Sequence, residues 1–125
     1  MPHISSAEVA VNYIRNVINK NRIDFKKFSW VMLFNEYSDL LGVIELSAMD
    51  SDCLKEVYQS VLISNATRFT LLTNAPGGRL GLNQFEHEML GQIELLDSIF
   101  GFKMIDFISF SSEGYISSCE ENWSL

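Results

Sequence analysis

The stretch that decides the fold of this chain is Arg68-Phe-Thr-Leu-Leu-Thr-Asn-Ala-Pro-Gly-Gly-Arg-Leu-Gly-Leu-Asn-Gln-Phe-Glu86. Its first residues are aromatic, aliphatic and β-branched, which predicts a buried strand over residues 68–72. A proline and three glycines then predict a loop over residues 75–82. Asn83 with Glu86 three residues later is the capping-box pattern that starts a helix. The stretch is therefore a strand, a loop and a helix in direct succession.

The residues before this stretch predict two helices and a hairpin. The run Ser5-Ser6-Ala7-Glu8 has the capping-box pattern, and a helix over about residues 6–20 follows from the apolar spacing of Val11, Ile14, Val17 and Ile18. Residues 28–34 and 40–47 are predicted strands, joined by a polar turn over 35–39. Asp50-Ser51-Asp52 is expected to cap a second helix. Its apolar positions are Leu54, Val57, Tyr58, Val61 and Leu62.

The residues after the stretch predict a long helix, two strands and a tail. The helix begins after Asn83 and stops at Gly101. Its apolar positions are Phe85, Met89, Ile93, Leu96 and Phe100, and the first four are expected to lie in the core. Strands are predicted over residues 104–110 and 115–118, with a turn over 111–114, and residues 120–125 are expected to be loosely held.

Strand pairs separated by helices indicate an α/β domain with a mixed β-sheet flanked by helices. At 125 residues the chain fits a single domain that can bury a sizeable core. Residues 1–27 form the predicted N-terminal helix and connector, 28–118 the core, and 119–125 the tail.

Charge is unevenly divided along the chain. Residues 1–80 hold eight acids and eight bases, whereas residues 81–125 hold eight acids and the single base Lys103, which accounts for the net charge of −7. An acidic half repels a phosphate backbone, so we expect no direct binding to nucleic acid.

Cys53 and Cys119 are isolated and define neither a zinc cage nor a disulfide framework. With no signal-peptide pattern and no apolar run near ~20 residues, we expect a cytoplasmic protein that does not span a membrane.

The region from about residue 28 to 118 resembles the RadC-like JAB domain of the JAB/MPN metallopeptidase superfamily. In that family the central segment reads His-Asn-His-Pro-Ser-Gly, with a Ser seven residues after the Pro and an Asp three further on. Asn74, Pro76 and Gly78 match this frame, and the hairpin over 31–47 and the strands over 105–110 and 112–115 follow the family's order. An Asp-His pair of the closing strand reads Asp106-Phe107 here. The family's two His, its Ser and its Asp are replaced by Thr73, Ala75, Asn83 and Glu86.

The resemblance implies the JAB/MPN, or cytidine-deaminase-like, architecture and a site beside the long helix. Family members use a catalytic zinc held by two imidazoles and a carboxylate, with a Ser stabilising the oxyanion and a Glu as general base. Glu45 occupies the general-base position and is retained. Because Thr73 is a poor ligand and Ala75 is none, we expect no metal and no cofactor. Glu86 could still coordinate, but it is better explained as the capping-box partner of Asn83.

Three functions follow, and the first is preferred. The chain is expected to be a metal-free, catalytically inactive RadC-like JAB domain that binds an unidentified protein partner. An alternative is a divergent JAB-type zinc metallohydrolase with rebuilt ligands, for example Glu45, Glu86 and His87, although His87 is expected to be an exposed helix residue. A further alternative, from the family's historical association, is an accessory role in DNA repair or metabolism. Trp123 is the candidate exposed anchor for a partner, and the sequence leaves the oligomeric state open.

Overall fold

The structure of the protein, a computed structural model, describes residues 4–47 and 52–121. Within these residues the chain forms ten elements, which we number in chain order. The helices are α1 (Ala7–Val17), α2 (Lys20–Phe25), α3 (Cys53–Ile63), α4 (Gln84–Phe100) and α5 (Ser118–Glu121). The strands are β1 (Ser29–Phe34), β2 (Leu40–Glu45), β3 (Arg68–Asn74), β4 (Lys103–Phe110) and β5 (Tyr115–Ser117).

The five strands form one mixed sheet in the order β2-β1-β3-β4-β5. β1 pairs antiparallel with β2 and β3, β3 pairs parallel with β4, and β4 pairs antiparallel with β5. The parallel pair is joined through α4, as the long crossover of parallel strands requires. The predicted α/β class and the mixed sheet flanked by helices are confirmed.

Each face of the sheet carries its own hydrophobic core, because alternate residues of the buried strands point to opposite faces. Trp30 and Leu72 face α1, whereas Val31 and Leu71 face α3 and α4. Both central strands are buried along nearly their whole length. The core therefore lies in two layers, with α1 on one side of the sheet and α3 and α4 on the other.

The N-terminal helix is shorter than its periodicity predicts. α1 ends at Val17, and a separate six-residue helix, α2, follows with Asn19 as its N-cap. The cap of α1 is Ser6, whose hydroxyl accepts a hydrogen bond from the Val9 amide at 3.2 Å. Val17, whose spacing contributes to the predicted helix, is the last residue of α1 and is 58% exposed.

The long helix begins and ends where local signals place it. Asn83 and Glu86 exchange the two hydrogen bonds of a capping box, and Gly101 ends α4 with φ 76°, a conformation that favours glycine. Met89 and Ile93 of the predicted stripe are buried, but Phe85 and Phe100 are exposed by 37% and 52%. The prediction of a core position is therefore confirmed for Met89 and Ile93 and wrong for Phe85.

The chain after β5 forms the short helix α5 instead of a loose tail up to residue 121. Asp106, buried in β4, organises this turn by accepting hydrogen bonds from the Ser118 hydroxyl and the Cys119 amide, both at 3.0 Å. The predicted cap residues Asp50 and Ser51, the anchor Trp123 and the tail beyond residue 121 lie outside the described residues. Asp52 is the N-cap of α3, although its side chain makes no capping hydrogen bond.

Candidate functional site

The segment that resembles a metal site lies at the carboxyl end of β3, where the chain enters the loop that leads to α4. This is the edge at which α/β sheets commonly hold ligands, because parallel strands deliver side chains there beside a helix N-terminus. Thr73 and Asn74 end β3, Ala75 follows, and Asn83 and Glu86 start α4. This end of the sheet thus collects the four positions that the resemblance assigns to a metal site, namely Thr73, Ala75, Asn83 and Glu86.

Thr73 has no hydroxyl free to act on a ligand. The residue is fully buried, and its Oγ1 donates a hydrogen bond to the Phe28 carbonyl at 3.0 Å. The Ser29 hydroxyl in turn lies 3.4 Å from the same oxygen. The Thr73 side chain therefore helps to hold β3 against the start of β1.

Asn74 ties the N-terminal connector to the end of β3. Its Oδ1 accepts a hydrogen bond from the Phe28 amide, and its Nδ2 donates to the carbonyls of Ile23 and Lys26, each at 2.8 Å. The residue is 1% exposed, so all these groups are paired away from water. Asn74 accordingly holds residues 23–28 against the site. Lys27 lies between two of the residues that Asn74 binds, so its position is set by these hydrogen bonds.

Glu86 is the chemically decisive residue of the site. It is fully buried, and its Oε1 accepts the Asn83 amide at 2.9 Å while its own amide donates to Asn83 Oδ1 at 2.8 Å. The Lys27 ammonium lies 3.0 Å from Oε1 and 2.9 Å from Oε2. A buried carboxylate needs a compensating positive charge. Here Lys27 supplies it from a side chain that is 39% exposed.

Glu45 is not brought to this cluster. It ends β2 and lines a groove with Tyr13, Val17, Trp30 and Val43, on the α1 side of the sheet. Thr73 alternates with Leu72, which belongs to the α1-side core, and so points to the opposite side. The β1 strand also separates them in register, because Glu45 pairs with Trp30 and Thr73 pairs with Ser29.

Glu45 has a cation of its own. The Arg22 Nη2 lies 2.6 Å from Glu45 Oε1, and both side chains are about two-fifths exposed, at 43% and 44%. The Arg22 guanidinium also stacks on the Phe28 ring, 4.1 Å from its centroid. Glu45 is thus a surface ion-pair partner in the part of the chain described here, and Glu86 is held by a different base.

A small cavity of about 220 Å³ adjoins the signature loop. Two cationic side chains, Lys27 and Arg79, line it together with Ala75, Pro76 and Ser109. The Ser109 hydroxyl accepts a hydrogen bond from the Gly81 amide at 3.1 Å, which anchors the loop to β4. The lining is therefore cationic, whereas a zinc site presents imidazole and carboxylate groups.

His87 does not join Glu86. It is half-buried, so its prediction as an exposed residue is wrong, and it lines a separate cleft of about 510 Å³ between α4 and the β4–α5 region. Within residues 4–47 and 52–121, no group of three or more His, Cys, Asp or Glu side chains is placed to hold a metal ion. The proposed set Glu45, Glu86 and His87 is thus distributed over three different places.

Tyr58 and Asp97 form a polar link between α3 and α4 on the same side of the sheet. The Tyr58 hydroxyl donates to Asp97 Oδ1 at 2.7 Å, and Asp97 Oδ2 accepts the Met104 amide at 2.7 Å. Burial first, and then the hydrogen bond and negative charge of Asp97, raise the pKa of Tyr58 well above its ordinary value. Asp97 thus joins α3 and α4 to the first residues of β4.

Lys27, Arg22 and Arg79 are the residues of this region that the sequence pattern does not single out. In the sequence Lys27 is one of two adjacent lysines, which is typical of a surface position. The carboxylate that it binds, Glu86, is 59 positions away. One signal was available: a Glu that caps a helix after a buried strand and its loop can itself become buried, and a buried Glu requires a cation.

No family model matches this chain, and no curated protein matches it. None of the helices among the described residues is long and apolar enough to cross a bilayer.

Proposed function

We propose that this chain is a catalytically inactive, metal-free RadC-like JAB domain that acts as a binding or interaction module. The proposal rests on the sequence frame around Asn74, Pro76 and Gly78, and on the mixed sheet in which a strand, that loop and a long helix succeed one another. The JAB/MPN architecture is part of the proposal.

The ion pair of Glu86 with Lys27 is the observation that best supports a catalytically inactive domain. Glu86 stands at the position of the family's carboxylate ligand, and an ammonium group lies within 3.0 Å of both its oxygens. A divalent cation at those oxygens would be repelled by this ammonium. Lys27 thus neutralises the carboxylate that the family neutralises with a metal.

The remaining donors do not fit a zinc ion. Ala75 offers no donor atom, and the Thr73 hydroxyl donates to a backbone carbonyl. Glu45, the general-base position, pairs with Arg22 on the other side of the sheet. Since zinc sites need three or four nitrogen, sulfur or oxygen ligands, these residues leave at most one.

Elemental analysis of untagged protein tests the proposal directly. We expect far less than one zinc per chain, and added zinc should leave the melting temperature unchanged, because only a ligand that binds the folded state stabilises it. Stoichiometric zinc would refute the proposal and favour the alternative metallohydrolase.

A restoration experiment tests whether Lys27 excludes the metal. The variant Thr73→His/Ala75→His/Glu86→Asp restores the family's three ligands, and its zinc-induced rise in melting temperature is compared with that of the same variant carrying Lys27→Ala. We expect the rise to be larger without the ammonium. If neither folded variant binds zinc, the resemblance overstates the local geometry.

A further inference from the structure

A cleft of about 510 Å³ lies between α4 and the β4–α5 region, and we call it the α4–β4 cleft. One face of α4 forms its first wall, with residues spaced three or four apart along the helix: His87, Leu90, Glu94 and Asp97. The opposite wall consists of residues of β4 and α5, namely Met104, Ile105, Ser118 and Cys119. Small-molecule sites typically have volumes of roughly 300–1,000 Å³, so this cleft is large enough for a small organic ligand.

Hydrogen bonds hold both walls of the α4–β4 cleft in place. Asp97 of α4 accepts a hydrogen bond from the Met104 amide at 2.7 Å, which fixes the helix to the start of β4. On the other side, the buried Asp106 accepts hydrogen bonds from the Ser118 hydroxyl and the Cys119 amide, each at 3.0 Å. The cleft is thus formed before a ligand enters, and a preformed site loses little conformational entropy on binding.

Two local irregularities face the cleft from its opposite walls. Gly91 lies inside the 17-residue helix α4, where glycine is a poor helix former. A Cβ added at Gly91 would meet no atom within 4 Å, so the missing side chain leaves open space. On the facing wall, the register of β3 with β4 passes from Met104 directly to Asp106, so Ile105 is an extra residue in the strand. Such bulges redirect side chains and are common beside ligand sites.

The cleft combines an apolar interior with acidic groups. Its apolar side chains are Leu90, Ile93, Met104 and Ile105. Three carboxylates share the lining, and Asp97 uses both of its oxygens for hydrogen bonds within the protein. Glu88 and Glu94 are exposed, and the neutral Gln84 side chain that donates to Glu88 at 3.3 Å does not neutralise its charge. These two carboxylates are therefore available to a ligand at the mouth of the cleft.

The charge of the lining selects the class of ligand. α4 contains no Lys or Arg, and neither residue type lines the cleft within the part of the chain that the structure describes. The remaining ionisable groups of the lining are His87 and the Cys119 thiol. A ligand that carries a carboxylate or a phosphate would be repelled here, whereas an ammonium group would be attracted.

We propose that the α4–β4 cleft binds a small organic cation, whose apolar body lies against Leu90 and Ile105 and whose protonated amine lies near Glu88 and Glu94. This goes beyond the proposed interaction module and does not rest on it, since none of the four positions assigned to a metal site lines the cleft.

Tryptamine is the probe, because its indole ring is apolar and its amine is protonated at neutral pH. Indolepropionate is the matched anion, since it carries a carboxylate on the same ring and a chain of similar length. NMR of isotope-labelled protein at an ionic strength of about 0.15 M should show saturable shifts centred on the amides of Gly91, Met104 and Cys119. We expect a dissociation constant for tryptamine on the order of 1 mM or tighter, and indolepropionate should bind at least about tenfold more weakly.

The variant Gly91→Leu should weaken tryptamine binding at least about tenfold, because the new side chain fills the cleft. It should not lower Tm, since Leu is a better helix former than Gly. Gln92→Leu is the matched control, because Gln92 is the next residue of α4, is exposed and does not line the cleft. We expect it to change the affinity less than about twofold. Equal effects of the two variants on binding would overturn the proposal.

A second pair of variants tests the charge without filling the cleft. Glu88→Gln/Glu94→Gln should reduce the preference for tryptamine over indolepropionate at least about fivefold. Asp24→Asn/Glu113→Gln removes two exposed acids outside the lining and should change that preference less than about twofold. Absence of saturable tryptamine binding, equal binding of both probes, or shifts centred outside the cleft would overturn the proposal. Zinc content is measured separately, so failure of this proposal and failure of the inactive-domain proposal give different results.

Discussion

Replacement of Lys27 by Met removes the charge that neutralises a fully buried carboxylate. Met has a similar length and shape, so packing is retained while the ammonium is lost. Glu86 Oε1 keeps the Asn83 amide at 2.9 Å, whereas Oε2 loses the group that lies 2.9 Å away. The resulting defect is therefore electrostatic.

The magnitude follows from the burial of the two partners. Leaving a buried acceptor unsatisfied costs about 1–3 kcal/mol, and breaking a fully buried ion pair costs about 3–5 kcal/mol. Glu86 is fully buried but Lys27 is 39% exposed, so water can partly replace the ammonium. We expect Lys27→Met to lower the free energy of unfolding by about 2 kcal/mol, which for a domain of this size lowers Tm by about 6–10 °C.

Urea or thermal unfolding followed by circular dichroism measures this change, and Lys26→Met is the matched control. Lys26 is exposed, and its ammonium lies 5.3 Å from the Phe28 ring centroid, a contact worth about 0.5 kcal/mol. The double variant Lys27→Met/Glu86→Gln should recover much of the loss, because it removes the unpaired charge as well. Equal effects of Lys27→Met and Lys26→Met, or no recovery in the double variant, would refute the reasoning.

Three further predictions concern other parts of the molecule. The raised pKa of Tyr58 means that the folded state holds this proton more tightly than the unfolded state. Stability from this group is therefore complete below pH ~10 and lost as the pH rises further, by up to about 1.4 kcal/mol per pH unit, and unfolding titrations of Tyr58→Phe should show a shallower loss. Asn74→Ala should lower the free energy of unfolding by about 2–4 kcal/mol, since it removes three buried hydrogen bonds, and a loss below about 1 kcal/mol in urea unfolding would contradict this role. No binding to duplex or branched DNA is expected near physiological salt, and a salt-sensitive micromolar shift in a gel or anisotropy assay would overturn that expectation.

Local patterns predicted the elements whose signals lie within a few residues of each other. Asn83 and Glu86 satisfy each other across one helical turn, and Gly101 adopts the positive φ that ends α4, so both boundaries could be predicted without knowledge of the rest of the chain. Helix α2 and the α1 boundary were missed, because a six-residue helix carries too little periodicity to be separated from its neighbour.

Exposure was the property that periodicity predicted least well. Helical spacing assigns Val17, Leu62 and Phe100 to apolar faces, yet each is more than half exposed. A periodic stripe shows which side of a helix is apolar. Whether a neighbour covers the end of that stripe depends on the lengths and crossing of other elements.

The sequence by itself determined the α/β class, the succession of strand, loop and helix at residues 68–100, and the presence of Thr73 and Ala75, neither of them a strong metal ligand, at the end of that strand. These are properties of residue type and short-range spacing, and they hold in any conformation of the rest of the chain. Tertiary structure alone decided that Lys27 neutralises Glu86, that Glu45 turns to the other side of the sheet to meet Arg22, and that the Tyr58 ring of α3 contacts the Phe100 ring of α4. The reason is physical: each of these contacts joins residues more than twenty positions apart, and only the pairing order of the strands brings them within a few ångströms.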